Sequence, residues 1–281
     1  MLRRSGFTLV ELLVTLALGG IVATAIGGVL VDTHRQAHRL AQRIELNHNV
    51  RAAITMLPVD LRALNPSDPA GSDIVQMADS ALTYRALRTF HTFCRPGTGA
   101  RLSLDTAGTG SRPLEPEHDS LLVFRDGDPL LTADDRWVHT DLRAVRSGRN
   151  CPGGRPSLDL SVSPPVAASD SLPAGSPVLS FEVVQVLSYV DAAGLTWVGA
   201  RRLSKKTGWT KPQPVAGPLG PGGLRFSYFT REGAPTRDPA QVARIGIAVT
   251  GRTPLAVWLA SGAFGYLADS LSTQVALRNG R

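Results

Sequence analysis

The sequence has few of the residues that disulfide-rich, metal-dependent or catalytic proteins need. Its 281 residues include two cysteines, too few for a disulfide-dense scaffold or a four-cysteine zinc site. It contains no Gly-x-Ser-x-Gly elbow, no phosphate-binding glycine-rich loop and no zinc signature. A Gly-X-Y period and long heptad repeats are also missing, which excludes collagen-like and coiled-coil proteins. We therefore expect no enzyme activity, no cofactor and no metal.

Charged residues make up only 19% of the chain, yet their balance is basic, with a net charge of +7. The hydrophobic fraction of 43% is enough to form a core, which excludes a fully disordered chain. A basic surface permits contact with nucleic acid or anionic lipid but does not by itself indicate either.

Long apolar runs are scarce too: one is present, near the N-terminus, which excludes a polytopic membrane protein. The run Phe7–Val31 contains one charged residue, Glu11. At ~1.5 Å per residue it is about 37 Å long, enough to cross a ~30 Å hydrocarbon layer. Arg3 and Arg4 precede it, so the positive-inside rule places the N-terminus in the cytoplasm. We expect a single pass through the inner membrane, with the rest of the chain extracytoplasmic.

A cleavable signal peptide is the alternative interpretation of this run, and residues 23–25 resemble its small-residue cleavage site. Glu11 argues against it, because a carboxylate in a membrane helix costs a few kcal/mol and needs a partner. If the chain is cut after Gly6, Phe7 becomes a free N-terminus with an ammonium group. A neighbouring subunit could then offer that ammonium to Glu11 inside a filament.

The segment Gly6-Phe7-Thr8-Leu9-Val10-Glu11-Leu12 resembles the type III signal of type IV pilins and pseudopilins. The resemblance implies that a prepilin peptidase cleaves between Gly6 and Phe7 and N-methylates Phe7. It also implies that Glu11 guides subunit docking. The expected partners are other pilins, the peptidase, the inner-membrane assembly platform and the lipid bilayer before assembly, and the final location is a pilus.

The helix is predicted to continue beyond the membrane as an amphipathic segment over residues 32–64, because apolar residues recur at steps of three and four. Pro58 is expected to kink or interrupt it. The predicted organisation is a leader (1–6), a membrane or filament-core helix (7–31), the amphipathic continuation (32–64) and a β-rich globular domain (65–281). The apolar positions are Ala37, Leu40, Ala41, Ile44, Val50, Ala53, Ile54, Leu57, Leu61 and Leu64.

Alternating apolar residues predict several strands in the remainder of the chain, so the fold class is α+β with a mainly antiparallel sheet. Gly-, Pro- and Ser-rich segments at 95–118, 147–177 and 208–223 are expected to be surface insertions with little regular structure. The predicted strands are 74–77, 81–87, 120–125, 178–190, 195–203, 224–229, 242–249 and 273–278.

The order of these elements resembles the PilW-like minor pilins and the J-type minor pseudopilin of type II secretion. The resemblance covers residues 40–64 and 178–279. It implies a type IV pilin-like fold and a subunit at or near a filament tip that helps to initiate assembly. A pilus subunit and a secretion pseudopilin both remain open.

Cys94 and Cys151 are expected to pair, because disulfides form in extracytoplasmic compartments. Both flank loop-like sequence, where closing a long loop could contribute up to about 4 kcal/mol. Two free thiols are the alternative, whereas a cysteine nucleophile is not indicated by either setting.

A tip subunit could also bind DNA or a surface, and one basic segment carries the residue types for that contact. Arginines and lysines interleaved with tryptophans suit single-stranded nucleic acid. A solvated hairpin edge, on which lysines discourage strand pairing, is the simpler interpretation. The residues are Arg201, Arg202, Lys205, Lys206 and Lys211, with Trp197 and Trp209.

Two groups of possible metal ligands are interpreted as solvated. His34 and His38 share a helix face but have no third ligand nearby in sequence. The carboxylates Asp126, Asp128, Asp134 and Asp135 fit no EF-hand spacing and include Pro129 between them.

Overall fold

The computed structural model describes residues 8–67, 71–110, 112–126, 134–167, 172–259 and 262–278. In these ranges the chain forms one long α-helix followed by antiparallel β-sheets, which confirms the α+β prediction.

The helix, α1 (Leu9–Leu61), follows the apolar run without a break and then packs on the β domain. Pro58 lies in its last turn, and Arg62 N–H donates to the Pro58 carbonyl at 3.1 Å. The expected interruption at Pro58 is therefore wrong, and a kink there stays a prediction. Proline removes one backbone hydrogen bond and crowds the preceding turn, but the burial of Leu57, Pro58 and Leu61 against the domain favours the helical path.

The second half of α1 buries a stripe against the domain, but the stripe begins later than predicted. Leu46, Val50, Ala53, Leu57 and Leu61 are buried at steps of three and four. The apolar side chains predicted at the start of the stripe are exposed, because the domain does not cover that face of the helix. These exposed residues are Ala37, Leu40, Ala41 and Ile44.

The large sheet has the order β1-β2-β8-β5-β6-β7-β3, with every pairing antiparallel. Strand β8 is its centre: one edge pairs with β2, and the other pairs with β5 and then with β9. The short strands β10 and β11 pair with β9, and β4 pairs with β2. The strands are β1 (Ile74–Met77), β2 (Ala81–Thr92), β3 (Gly99–Asp105), β4 (Thr109–Gly110), β5 (Asp119–Arg125), β6 (Arg136–Ser147), β7 (Ser157–Val166), β8 (Pro177–Val190), β9 (Thr196–Ser204), β10 (Gly208–Trp209) and β11 (Gln213–Ala216).

A second sheet has the order β12-β13-β16 and carries most of the contact with α1. Its strands are β12 (Leu219–Phe229), β13 (Arg244–Arg252) and β16 (Ala268–Ala276). A 3-10 turn at Pro239–Gln241 precedes β13. Between β13 and β16 the chain forms a small hairpin of β14 (Val257–Trp258) and β15 (Phe264–Gly265).

Most predicted strands are confirmed with longer bounds, whereas the predicted insertions are partly wrong. The segments 95–118 and 147–177 contain β3, β4 and β7, and 208–223 contains β10, β11 and the start of β12. Strand β6 was also not predicted. The prolines of β7 do not prevent pairing because Pro164 and Pro165 lie where the register with β3 shifts and have no paired residue in either neighbouring strand.

Two apolar cores result. The first lies between α1 and strands of both sheets, and its fully buried members include Ala53, Leu82, Val198 and Ile245. The second lies inside the part of the large sheet made by β3, β5, β6 and β7, around Leu104, Leu121 and Leu142. The middle of the chain, which lies outside the two segments that carry the pilin resemblance, thus builds a core of its own.

Candidate functional site

The start of α1 is closed by a capping box in which Glu11 takes part. Thr8 is the N-cap, and its hydroxyl accepts a hydrogen bond from Glu11 N–H at 3.3 Å. In return, Thr8 N–H and the Thr8 hydroxyl each donate to Glu11 Oε2 at 3.0 Å. Gly6 and Phe7, the predicted processing site, lie outside the described residues.

These bonds use only one oxygen of the Glu11 carboxylate. Oε1 has no partner among the described residues, and the side chain is exposed. The carboxylate can therefore complete the helix N-terminus and still accept a hydrogen bond from a second molecule.

The membrane half of α1 has no contact with the domain that would cover it. No residue from 8 to 31 is buried, and large apolar side chains such as Leu9, Leu16 and Val29 are more than 60% exposed. The hydroxyls of Thr15, Thr24 and Thr33 donate back to carbonyls one turn earlier, so they add no unpaired donor to the apolar surface. This surface suits lipid or other apolar helices.

Helix and domain meet closely where β13 crosses α1. A Cβ atom on Gly251 would lie 2.6 Å from Val50 Cγ2 and 2.7 Å from Leu46 Cδ1. Only glycine permits this approach, because real Cβ contacts of that length do not occur.

A buried ion-pair cluster ties the end of α1 to the centre of the large sheet. Asp60 on α1 accepts hydrogen bonds from Arg88 at 3.3 Å and from the Tyr84 hydroxyl at 3.3 Å. Arg88 Nε also donates to Glu182 Oε1 at 2.7 Å. Burial first and then Asp60 raise the pKa of Tyr84, so the phenol remains a proton donor.

Glu182 is 3% exposed and receives two further arginines. Arg112 Nη2 donates to Glu182 Oε2 at 2.9 Å, and Arg202 Nη1 donates to the same oxygen at 3.3 Å. Burial alone would raise the pKa of Glu182, but the Arg88 hydrogen bond and the three positive charges outweigh it and lower the pKa. Arg112 also pairs with the fully buried Asp119, and Arg202 with Glu115.

One comparison with known protein families identifies the motif at the N-terminus. A family model described as the prokaryotic N-terminal methylation motif matches residues 1–27. The chain carries the N-terminal methylation motif. The matched segment contains Gly6, Phe7 and Glu11 together with most of the apolar run. Comparisons with curated proteins and with solved structures gave no match.

The methylation motif is the type IV prepilin-like signal, and it points to a type IV pilin or pseudopilin. It also indicates membrane anchoring by α1, the helix of the described chain that is long and apolar enough to span a bilayer. The motif implies contact with other pilins and with a prepilin peptidase, and it is typical of structural rather than enzymatic proteins.

The five basic residues proposed for DNA or surface contact do not form one free patch. Arg202 belongs to the Glu182 cluster, and Lys205 donates to the backbone carbonyls of Asp119 and Leu142. Arg201 donates to Gln185 at 2.7 Å and lies over the Trp209 ring at 4.9 Å.

Of that set, only Lys206 and Lys211 are exposed, and the other three are half-buried. Burial lowers the pKa of Lys205, which fits an internal position better than a phosphate contact. A DNA or surface role for these residues stays a prediction, with no support from this arrangement.

The structure joins Cys94 and Cys151 by a disulfide with a Cα–Cα distance of 5.2 Å. It connects the end of β2 to the loop between β6 and β7.

Of the two groups interpreted as solvated rather than metal-binding, His34 and His38 are exposed on α1. In the described part of the chain no cluster of three or more His, Cys, Asp or Glu side chains could hold a metal ion. Asp128 and Pro129 lie outside the described residues.

Proposed function

We propose that the chain is a minor subunit of a type IV pilus, located in the filament or at its tip, where it aids the initiation of assembly. A prepilin peptidase removes residues 1–6 and methylates Phe7, and α1 holds the subunit in the inner membrane until it is extruded into the filament. The observation that carries the proposal is the methylation motif at the head of a helix whose apolar half has no cover from its own domain.

The physical driving force is the transfer of that helix surface from lipid to a bundle of neighbouring helices. Glu11 supplies the specific contact, since Oε1 can accept a hydrogen bond from the methylated ammonium of Phe7 on a neighbouring subunit. A charged donor in a water-poor environment stabilises the carboxylate that lipid would otherwise disfavour.

A minor pseudopilin of type II secretion uses the same helix and the same processing, so the contacts above support it equally. Genetic neighbours distinguish the two: a retraction ATPase gene accompanies a pilus, and an outer-membrane secretion operon accompanies a pseudopilus.

Mass spectrometry of the mature protein from native membranes tests the processing step. We expect the first residue to be N-methylated Phe7, and we expect residues 1–6 to be retained in cells without the peptidase. A mature chain that begins near residues 24–28 would identify a cleaved signal peptide and would overturn the proposal.

A further inference from the structure

The hairpin of β14 and β15 exposes an unusual number of large apolar side chains. Leu255 is 59% exposed, Trp258 46%, Phe264 66% and Tyr266 52%. Trp258 and Phe264 are direct partners across the hairpin, and their rings meet edge to face at 5.7 Å. Four such residues together form a surface that water does not favour.

This hairpin contacts α1 immediately beyond the membrane run. The guanidinium of Arg35 lies over the Trp258 ring, 5.1 Å from its centroid. Arg35 follows Val31, the last residue of the apolar run, by about one helical turn, or roughly 6 Å. The apolar run of about 37 Å exceeds the ~30 Å hydrocarbon core, and a tilt of α1 accommodates the difference so that Val31 lies at the edge of the core. The headgroup layer beyond that edge is about 5–8 Å thick, so Trp258 beside Arg35 lies at headgroup depth.

The charges around the hairpin match the same environment. Arg252 lies over the Tyr266 ring at 4.8 Å, and Arg39 and Arg43 follow Arg35 on the helix. Arginines near a membrane surface attract anionic headgroups. Tryptophan and tyrosine are enriched at this level because their rings are apolar and their N–H and O–H groups are polar.

We propose that residues Leu255, Trp258, Phe264 and Tyr266 form an interfacial anchor that lies in the headgroup layer of the bilayer before the subunit is extruded. The anchor fixes the domain against the membrane surface at a second point besides α1. The inference rests on the proposed function only for the insertion of α1 into a bilayer, and it is independent of the kind of filament.

Fluorescence quenching in vesicles tests the anchor on the full chain. The protein is reconstituted into phosphatidylcholine–phosphatidylglycerol vesicles with and without lipids that carry a nitroxide on the headgroup. The emission of Trp258 is obtained as the difference between the wild-type protein and the Trp258→Phe variant. Flotation of the vesicles reports separately whether the chain is inserted.

Trp209 is the matched control. It lies beside Arg201, which lines a cavity of about 600 Å³ together with Met56 and Leu57 of α1. Met56 is about 30 Å further along the helix than Arg35, so the Trp209→Phe difference reports a ring far from the bilayer.

We expect headgroup nitroxide to quench the Trp258 emission roughly two-fold or more, because aromatic belts lie at headgroup level. The Trp209 emission should change little. Equal Trp258 emission with and without the nitroxide would show that the hairpin faces water. This result would overturn the anchor while the proposed function stands. A Trp258 emission that the nitroxide does not quench, and that shifts towards the red as the lipid-to-protein ratio rises, would assign the surface to a second copy of the chain. This result would also overturn the anchor. Failure to float would contradict both the anchor and the membrane step of the proposed function.

Discussion

At the scale of single residues, Glu11 combines two roles that involve different atoms. Its backbone N–H and Oε2 complete a capping box with Thr8, while Oε1 is left for another molecule. The capping box could have been predicted, since Thr8-x-x-Glu11 ahead of an apolar run is its sequence signature. The cost of the Glu11 carboxylate in lipid is the more obvious feature of the sequence, and it hides the capping role.

The Glu182 cluster could not have been predicted. Its members come from α1, β2, β5, β8, β9 and the segment before β5, and no local spacing links Asp60, Arg88 and Glu182. Charged residues in strands are ordinarily solvent-facing, so nothing in the sequence marks these side chains as buried. For the same reason Arg202 was a candidate for contact with nucleic acid or for a solvated hairpin edge, although its charge is directed inward.

Replacing Glu182 should destabilise the domain strongly. In Glu182→Gln the charges of Arg88, Arg112 and Arg202 lose their shared buried partner, and breaking a buried ion pair costs about 3–5 kcal/mol. Urea unfolding of the full chain in detergent, followed by tryptophan fluorescence, measures the loss.

Glu115→Gln is the matched control. Glu115 pairs with the same Arg202 but is 40% exposed, so its removal should cost at most about 1 kcal/mol. Equal losses in the two variants would show that burial of Glu182 contributes nothing to the strength of its pairs.

The lowered pKa of Glu182 predicts an acid-sensitive domain. Because the folded pKa lies below the unfolded value of 4.5, the stabilisation is complete above that value and is lost as the pH falls through the folded pKa. The unfolding free energy of the wild-type chain should therefore fall more steeply below pH 4.5 than that of Glu182→Gln. Parallel pH profiles would contradict this. Hydrogen bonds also lower the pKa of Asp191 and Glu117, so these carboxylates add to the acid sensitivity of both chains. The difference between the wild-type chain and Glu182→Gln isolates the contribution of Glu182.

At the scale of elements, the sequence predicted the helix and eight of the strands, but it missed the long strands β6 and β7 and did not predict where the elements pack. Strand β8 alternates clearly and was found, whereas β7 was masked by its serines and the pair Pro164-Pro165. The stripe of α1 was placed too early because Leu40 and Ile44 have the right spacing. Spacing identifies an apolar face, but only the domain determines where that face becomes covered.

The approach of β13 to α1 should be intolerant of any side chain at Gly251. In Gly251→Ala the new methyl group would overlap Val50 and Leu46, and such overpacking costs about 1–3 kcal/mol. Gly220→Ala on β12 is the control, because its Cβ would meet Thr250 at an ordinary 3.6 Å. Thermal unfolding of both variants in detergent compares them, and a Gly251 variant as stable as the control would show that the helix is free to shift.

At the scale of the whole molecule, the fold separates two surfaces. The domain encloses its own cores and buries α1 side chains only from Leu46 onward, with the β14–β15 hairpin touching the helix at Arg35, while no residue from 8 to 31 is buried. A monomer of this shape is incomplete in water, and lipid or neighbouring helices must complete it. The apolar run and Glu11 were readable from the sequence, but the extent of exposed helix was not.

The amount of Glu11→Gln subunit in sheared filaments tests the central claim most directly, with Thr8→Ala as its control. Glutamine keeps the capping box and removes the charge, whereas alanine at position 8 removes the cap hydroxyl and keeps the charge. We predict that Thr8→Ala enters filaments at the wild-type level and that Glu11→Gln falls at least about tenfold, the effect of losing ~1.4 kcal/mol of docking energy. Wild-type incorporation of Glu11→Gln, or an equal loss in Thr8→Ala, would contradict the account.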